Sequence, residues 1–206
     1  DFKMVYFNSD GNLSSMCGNG GRCIASFAYA VNICKREMNF EAPDGIHHAI
    51  IDSTDYVHLR MGNTKHPEKL DDKTYFIDTG SPHVVKFVDD INNINVYEEG
   101  KAIREQKQFE QIGGTNVNFV QISDNEIHMR TYERGVEGET YSCGTGVTAA
   151  GIAAHFANNI NQQEIKVNTK GGQLAVSFSA DNSYTNITLS GPVAFVFKGE
   201  LDEFIK

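Results

Sequence analysis

Short segments in which apolar and polar residues alternate make up most of the chain, a pattern typical of half-buried β-strands. They are rich in Val, Ile, Phe, Tyr and Thr and are bounded by Gly, Asn, Asp and Pro. The pattern predicts strands over residues 2–7, 38–41, 48–51, 56–61, 75–78, 84–88, 117–122, 127–132, 164–168, 174–178, 185–189 and 193–198. Helices are predicted at about 19–34, 95–107 and 145–158.

Two of the predicted helices begin with the same motif, Cys-Gly-x-Gly followed by small residues. The copies are Cys17-Gly18-Asn19-Gly20 and Cys143-Gly144-Thr145-Gly146, each preceded and followed by predicted strands. This weak internal repeat indicates two similar α/β halves related by an approximate two-fold axis. The polar stretch over residues 62–73 is the predicted linker between them.

The amino-acid composition and net charge of the chain argue against several classes of function. The chain has 206 residues, of which 40% are hydrophobic and 22% charged, with a net charge of −9. These values predict an ordinary globular protein that binds neither nucleic acid nor an anionic membrane, since no basic cluster is visible. Four cysteines are too sparse for a disulfide scaffold, and the spacing of Cys17 and Cys23 is not that of a zinc site. We therefore expect a reducing cytoplasm.

The repeated cysteines point to proton-transfer chemistry. A cysteine at a helix N-terminus lies beside unpaired backbone N–H groups, which favour the thiolate and also accommodate a carboxylate. Two such cysteines in facing halves could remove a proton from one side of a carbon and deliver one to the other. The substrate carboxylate would then lie on the backbone N–H groups of Gly18, Asn19, Gly144 and Thr145, where its growing charge is stabilised. Cys23 and Cys34, further along the first helix, are interpreted as packing residues.

Six motifs, in order, resemble those of the diaminopimelate epimerases, and the similarity covers essentially the whole chain. They are Asn8–Gly11 with Met16–Cys23, Thr79–His83, Thr115–Val120, Tyr132–Gly135, Gly138–Gly146, and Gly171–Leu174 with Gly191–Val193.

The resemblance implies an α/β (α+β) fold of two pseudo-symmetric halves, each a curved, mostly antiparallel sheet around a central helix. The expected halves are 1–73 and 74–194, with a final strand around 195–201, in the segment 195–206, returning to the first half. It also implies interconversion of LL- and meso-diaminopimelate, on the route to lysine and peptidoglycan, without cofactor or metal. The expected partner is the small amino-acid substrate. The resemblance leaves undecided whether the protein forms a homodimer.

Roles for individual residues follow from the resemblance alone. Cys17 and Cys143 are the acid/base thiols, and His83 and Glu133 help to set their protonation. The residues implied in substrate binding are Asn8, Gly18, Asn19, Ser81, Asn116, Glu133, Arg134, Gly144 and Thr145. Taken singly, Glu133 and Arg134 could equally form an exposed ion pair, His83 could be a loop histidine, and Asn8 and Asn116 could be turn formers.

Two departures from the family pattern stand out. Ser81 occupies a position where the family usually has Asn; its hydroxyl is shorter but still donates and accepts hydrogen bonds. The family's N-terminal stretch, with a Gly-Asn-Asp-Phe motif and a substrate-contacting Gln, has no counterpart in this sequence. We expect its absence to expose sheet edges and core, and a protein of these residues alone to be poorly active.

Three alternatives stay open. A proline racemase or hydroxyproline epimerase would share the fold and paired cysteines, but the motifs at 115–119 and 132–135 argue against it. An isomerase of the phenazine-biosynthesis type would not need the cysteines. A non-catalytic binding module or a redox-sensing thiol protein would use them without exchanging protons at carbon.

Overall fold

The computed structural model describes residues 1–7, 11, 13, 16–52, 55–162 and 164–200. Within these ranges the chain forms one hydrogen-bonded sheet and three α-helices. The helices are α1 Gly18–Ala30, α2 Val96–Arg104 and α3 Gly144–Phe156. The strands are β1 Phe2–Lys3, β2 Glu37–Ala42, β3 Gly45–Ile51, β4 Tyr56–Arg60, β5 Glu68–Lys69, β6 Thr74–Asp78, β7 Pro82–Phe87, β8 Asn116–Ser123, β9 Glu126–Glu133, β10 Gly138–Thr140, β11 Glu164–Thr169, β12 Gly172–Ala180 and β13 Tyr184–Pro192.

The strand order brings distant parts of the chain together. It runs β1-β2-β3-β4-β13-β12-β11-β9-β8-β7-β6-β5, with β10 paired to β9. Most neighbours are antiparallel; β1 with β2, β7 with β8 and β9 with β11 are parallel. Because β13 bonds to β12 on one side and β4 on the other, it joins the strands around α1 to those around α3.

Alternation explains which face of each strand is buried. In β2 the side chains of Met38, Phe40 and Ala42 point into the core and their neighbours are exposed. Strand β8 differs, because α2 and α3 both pack on it and residues 116–120 are all buried. Its polar side chains, Asn116 and Asn118, are therefore enclosed and need hydrogen-bond partners inside the protein.

The two repeated helices lie at the centre of the fold. Helix α3 packs on β6–β9 and on β11–β13, so the curved sheet surrounds it, and every residue from Gly144 to Ala154 is buried. Helix α1 packs on β3 and β4 and buries mainly its small residues. These contacts confirm the predicted fold class, a mixed α/β fold with helices inside a curved sheet.

Several predictions from the sequence need correction. No strand forms over residues 193–200, although a strand was expected there, and position 201 lies outside the described residues. This segment returns to the first half as irregular chain, with the Phe195 ring 6.4 Å from that of Phe27 on α1. The predicted linker 62–73 contains β5, which pairs with β6. Cys23 was expected to be packed but is exposed, whereas Cys34 packs against the core.

Candidate active site

A cavity of about 310 Å³ lies where the N-termini of α1 and α3 meet. This is the size of a small-molecule site. Its walls come from both helix tips, from β8 and β9, and from the chain before α1. The lining residues are Tyr6, Met16, Cys17, Gly18, Asn19, Ser81, Asn116, Glu133, Arg134, Gly135, Ser142, Cys143, Gly144 and Thr145.

The two helix tips are in van der Waals contact. A Cβ atom added to Gly144 would lie 3.0 Å from the Gly18 Cα and 3.2 Å from the Asn19 nitrogen. A Cβ atom on Gly18 would lie 3.3 Å from the Gly144 Cα. Only residues without a side chain allow this approach, so the first glycine of each motif is explained by packing between the two copies.

This contact aims the unpaired amides of both helices at the cavity. The first intrahelical bonds are donated by Gly21 to Cys17 and by Val147 to Cys143. The amides of Gly18, Asn19, Gly144 and Thr145 therefore have no acceptor within their own helix. Two helix dipoles with their positive ends together favour a negative charge at this point.

Cys17 is the N-cap residue of α1. Its φ and ψ are −108° and 114°, and its Sγ accepts a hydrogen bond of 3.3 Å from the Gly20 amide. The side chain is half-buried and open to the cavity. The negative charge of Cys17 raises the pKa of Tyr6, with burial and a hydrogen bond to the same sulfur adding to the effect. The phenol is therefore a proton donor to Cys17.

Cys143 is the N-cap residue of α3, with φ and ψ of −121° and 111° that match those of Cys17. Its side chain is only 8% exposed. Burial, followed by the charge of Glu133, raises the pKa of the Cys143 thiol to about 12, against smaller opposing effects of the Thr145 hydroxyl and the Gly146 amide. Cys143 is thus a neutral thiol at physiological pH, and the two equivalent cysteines sit in unlike surroundings.

His83 lies behind the cavity wall and is completely buried. Its Nε2 is 2.9 Å from the Thr145 Oγ1, and its Nδ1 is 3.1 Å from the Asn118 Nδ2. Burial and the positive charge of Arg134 lower the pKa of His83 to about 3. The imidazole is therefore neutral, and it contacts Cys143 only through Thr145.

Asn116 ties three parts of the cavity wall together. Its Nδ2 donates to the Ser81 Oγ at 3.0 Å and to the Pro82 carbonyl at 2.9 Å, while its Oδ1 accepts from the Arg134 amide at 2.9 Å. The amide group is thus fully occupied inside the protein. The Ser81 side chain is long enough for its hydroxyl oxygen to accept this hydrogen bond from Asn116.

Glu133 and Arg134 complete the polar wall without pairing with each other. Burial raises the pKa of the Glu133 carboxyl, and an interaction with the Thr140 hydroxyl partly offsets this rise. The Arg134 Nη1 donates to the carbonyls of Ile112 and Gly114, at 3.0 and 3.3 Å. Among the residues that the structure describes, the two side chains form no ion pair.

Comparisons with known proteins place the chain in a family. Residues 75–196 match the family model described as diaminopimelate epimerase. The chain is 50% identical over 200 residues to the diaminopimelate epimerase of Flavobacterium psychrophilum, covering 96% of this chain and 77% of that protein. It is 40% identical over 216 residues to the enzyme of the same name from Aquifex aeolicus, covering 98% and 75%.

The chain belongs to the diaminopimelate epimerase family. Solved structures of other families share its fold. A probable proline racemase from Agrobacterium radiobacter superimposes with a TM-score of 0.72 at 16% identity, covering 98% of this chain and 73% of that one. A phenazine biosynthesis protein of the PhzF family from Bacillus anthracis gives a TM-score of 0.69 at 14% identity, covering 92% and 77%. These identities show a common fold alone.

The structure brings most of the residues implied by the diaminopimelate epimerase motifs to one cavity. Cys17, Cys143 and Glu133 line it, as do the predicted substrate-binding residues Gly18, Asn19, Ser81, Asn116, Arg134, Gly144 and Thr145. His83 is behind the wall, and Asn8 lies outside the described residues. Their individual roles stay predictions.

Sequence reasoning missed several residues around this diaminopimelate epimerase site. Tyr6 and Ser142 line the cavity, and Asn118 contacts His83. Arg22 is buried on α1, where its Nη2 donates to the Asn19 Oδ1 at 3.0 Å; the Asn19 Nδ2 in turn donates to the Ser142 carbonyl at 3.0 Å. The polar residues inside the apolar run 116–120 were the available signal, because a buried asparagine needs partners.

Two further features concern the part of the chain that the structure describes. No group of three or more His, Cys, Asp or Glu side chains has the arrangement of a metal site. None of the described helices is long and apolar enough to cross a membrane.

Proposed function

We propose that this protein interconverts LL- and meso-diaminopimelate by transferring protons between the substrate α-carbon and two thiols, Cys17 and Cys143. The observation that carries the proposal is that both cysteines occupy equivalent N-cap positions and line one cavity. Membership of the diaminopimelate epimerase family supplies the substrate.

The proton transfers balance over one turnover. The Cys17 thiolate removes the α-proton from one face of the carbon, and the Cys143 thiol gives its proton to the other face. The product has the inverted centre, Cys17 is then a thiol and Cys143 a thiolate, and the reverse reaction starts from that state. The raised pKa of Cys143 fits its role as the acid in the first direction.

The charge that develops on the substrate carboxylate needs stabilisation. The amides of Gly18, Asn19, Gly144 and Thr145, which lack intrahelical acceptors, supply it from fixed positions. Such preorganised donors cost no reorganisation during the reaction. Glu133 and Arg134 then meet the charged groups at the other end of the substrate.

The surroundings of the reaction are part of the same proposal. The four cysteines are unpaired, which suits a reducing compartment, and we place the enzyme in the cytoplasm. Its partner is the free amino acid, with neither nucleic acid nor membrane required. A homodimer is compatible with this role.

The test is turnover of LL-diaminopimelate in deuterated water, followed by chiral chromatography and mass spectrometry. Formation of the meso isomer with one deuteron per inverted centre is expected. Cys17→Ala and Cys143→Ala should each lower the inversion rate by about 1,000-fold or more, within the range for losing a positioned acid or base. The matched control is Cys23→Ala, which replaces an exposed cysteine outside the cavity and should leave the rate equal to that of the parent protein.

Two outcomes would reject the proposal. Undiminished deuterium uptake in both cysteine variants would show that the thiols do not handle the proton. Inversion of L-proline or hydroxyproline in place of diaminopimelate would assign the site to the other two-thiol enzymes.

A further inference from the structure

A chain of buried hydrogen bonds leads from strand β9 to the Cys143 sulfur. Thr131, Asn118, His83 and Thr145 form it, and their exposed fractions are 2%, 0%, 0% and 6%. The separations along the chain are 3.0 Å from the Thr131 Oγ1 to the Asn118 Oδ1, 3.1 Å from the Asn118 Nδ2 to the His83 Nδ1, 2.9 Å from the His83 Nε2 to the Thr145 Oγ1, and 3.5 Å from the Thr145 Oγ1 to the Cys143 Sγ.

The direction of these bonds is fixed at Asn118. Its amide nitrogen also donates to the Val84 carbonyl at 3.2 Å, and a carbonyl can only accept. The Thr131 hydroxyl donates to the amide oxygen. The amide nitrogen therefore faces His83, whose Nδ1 must accept and carries no proton.

A neutral imidazole with an unprotonated Nδ1 carries its proton on Nε2. The pKa of His83, lowered to about 3 by burial and by Arg134, keeps the ring neutral at physiological pH. The Nε2–H then donates to the Thr145 oxygen. With its oxygen accepting, the Thr145 hydroxyl is free to donate to the sulfur of Cys143.

The second glycine of the motif makes room for this chain. A Cβ atom on Gly146 would lie 2.5 Å from the Asn118 Oδ1, closer than real contacts allow. In the other copy of the motif, the three atoms nearest to a Cβ atom on Gly20 belong to Met4 and Cys17. The first turn of α3 is thus shaped around the polar side chain of Asn118.

We propose that the Thr145 hydroxyl donates a hydrogen bond to the Cys143 thiolate, and that Asn118 and Thr131 are positioning residues that hold this donor in place through His83. Negative charge forms on Cys143 when it gives up its proton. Glu133 and Cys17 oppose that charge, the neutral Tyr6 phenol does not, and the Gly146 amide favours it. The Thr145 donor works in the opposite direction, from a buried chain in which every bond points toward the sulfur.

The consequence for catalysis rests on the proposed two-thiol reaction, but the test does not. Cys17, Cys23 and Cys34 are replaced by Ser so that Cys143 is the remaining thiol, and its rate of alkylation by iodoacetamide is followed at a fixed, mildly alkaline pH. Since alkylation tracks the thiolate population, one unit of thiol pKa changes the rate about ten-fold. Thr145→Val should slow alkylation about ten-fold, and Thr145→Ser should restore it.

Thr148→Val is the matched control. Thr148 is buried on the same helix one turn further along, and its hydroxyl donates to the Gly144 carbonyl and not to Cys143. Its replacement should leave the alkylation rate unchanged. Equal rates in Thr145→Val and the parent would overturn the proposal, as would equally slow rates in Thr145→Val and Thr145→Ser.

A second measurement tests the positioning residues. Nitrogen-15 NMR of His83, assigned by its loss in His83→Gln, should report the neutral Nε2–H form throughout the neutral range. Thr131→Val, which changes no residue of the cavity lining, should mix the two neutral forms and slow Cys143 alkylation about three-fold, a fraction of one pKa unit. A proton on Nδ1 or a charged ring in the parent would overturn the direction of the chain. Neither measurement requires diaminopimelate turnover, so this proposal and the proposed function can fail separately.

Discussion

Helices α1 and α3 begin with the same four-residue motif, yet they present their cysteines in opposite environments. Eleven of the thirteen residues of α3 are buried, against six of thirteen in α1. Cys143 is enclosed, with its sulfur 3.5 Å from the Thr145 hydroxyl, whereas Cys17 is half-buried and accepts from the Gly20 amide. A local motif therefore sets the direction of a side chain, and the surrounding sheet sets its protonation state.

A similar contrast holds for two buried imidazoles, one on β3 and one on β7. His47, on β3, has both ring nitrogens against acceptors, the Arg60 carbonyl at 2.8 Å and the Asp44 carboxylate at 2.9 Å. His83, on β7, has one nitrogen against the donor Asn118. Two acceptors favour the protonated ring, and one donor with one acceptor favours the neutral ring.

The largest expected effect concerns the reactivity of the two thiols. At neutral pH a pKa of about 12 leaves Cys143 with about 3,000-fold less thiolate than a cysteine of ordinary pKa near 8.5. Iodoacetamide should therefore label Cys17 long before Cys143, as followed by peptide mass spectrometry over time. Comparable labelling rates for the two would remove the asymmetry on which the comparison depends.

The next effect is on stability. Ile152, on α3, is completely buried, whereas Phe27, on α1, is 48% exposed. Ile152→Ala should lower the free energy of unfolding by about 3 kcal/mol, as for other large-to-small changes in a packed core. Phe27→Ala, the control on the other helix, should lower the free energy of unfolding by about 1 kcal/mol. Because about half of the ring is exposed in the folded protein, its removal forfeits only about half of the free energy of burying a whole ring. Urea unfolding would measure both, and equal losses would show that the helices are equally enclosed.

The local pattern of apolar and polar residues was enough to predict much of the secondary structure. The segments where this prediction failed depend on contacts between distant parts of the chain. The strands around Met38 and Phe40 and the starts of both cysteine helices follow from alternation and from the repeated motif. The stretch 193–198 is apolar enough for a strand, but it cannot pair with the preceding strand β13, which already has β4 and β12 on its two sides. A strand there would have to reach an edge of the sheet, at β1 or β5. The linker prediction for 62–73 missed β5, whose pairing with β6 is a tertiary contact.

The site itself was predictable only in part. Repetition and family motifs identified the cysteines, the helix-tip amides and Glu133. They did not identify Asn118 or Thr131, because the partners of a buried polar side chain depend on strand register, as in the pairing of Asn118 with Thr131. Nor could sequence distinguish Cys17 from Cys143, since burial is set by strands distant in the chain.

A smaller change would test the contact between the helix tips. Gly144→Ala puts a methyl group 3.0 Å from the Gly18 Cα, where backbone must move. We expect kcat/KM to fall about 100-fold, the size of effect that a displacement near 1 Å has on positioned groups. Gly18→Ala should be milder, because its nearest neighbour, at 2.8 Å, is the flexible end of Leu189. Gly62→Ala, with open space around its Cβ, is the control and should be active; a fully active Gly144→Ala would show that the tips need not touch.

The smallest effect separates the two buried histidines by pH. Burial lowers the pKa of His47, but its bonds to Asp44 and the Arg60 carbonyl outweigh this and raise the pKa above its usual value. Burial likewise raises the pKa of Asp44, and the bond to His47 outweighs it and lowers that pKa. The pair of His47 and Asp44 therefore stabilises the fold fully below the unfolded histidine pKa of about 6.5. This stabilisation is lost as pH rises through the higher folded pKa of His47, and it is also lost when acid protonates Asp44. His47→Gln should cost about 1 kcal/mol near pH 5.5 and less near pH 8.5, in urea unfolding at both values. His83→Gln should show the opposite trend, because at pH 5.5 the unfolded His83 binds a proton that the folded ring, with a pKa of about 3, does not bind. The substitution removes this penalty and should therefore cost roughly 1.4 kcal/mol less near pH 5.5 than near pH 8.5. A larger cost near pH 5.5 would contradict the opposite protonation of the two rings.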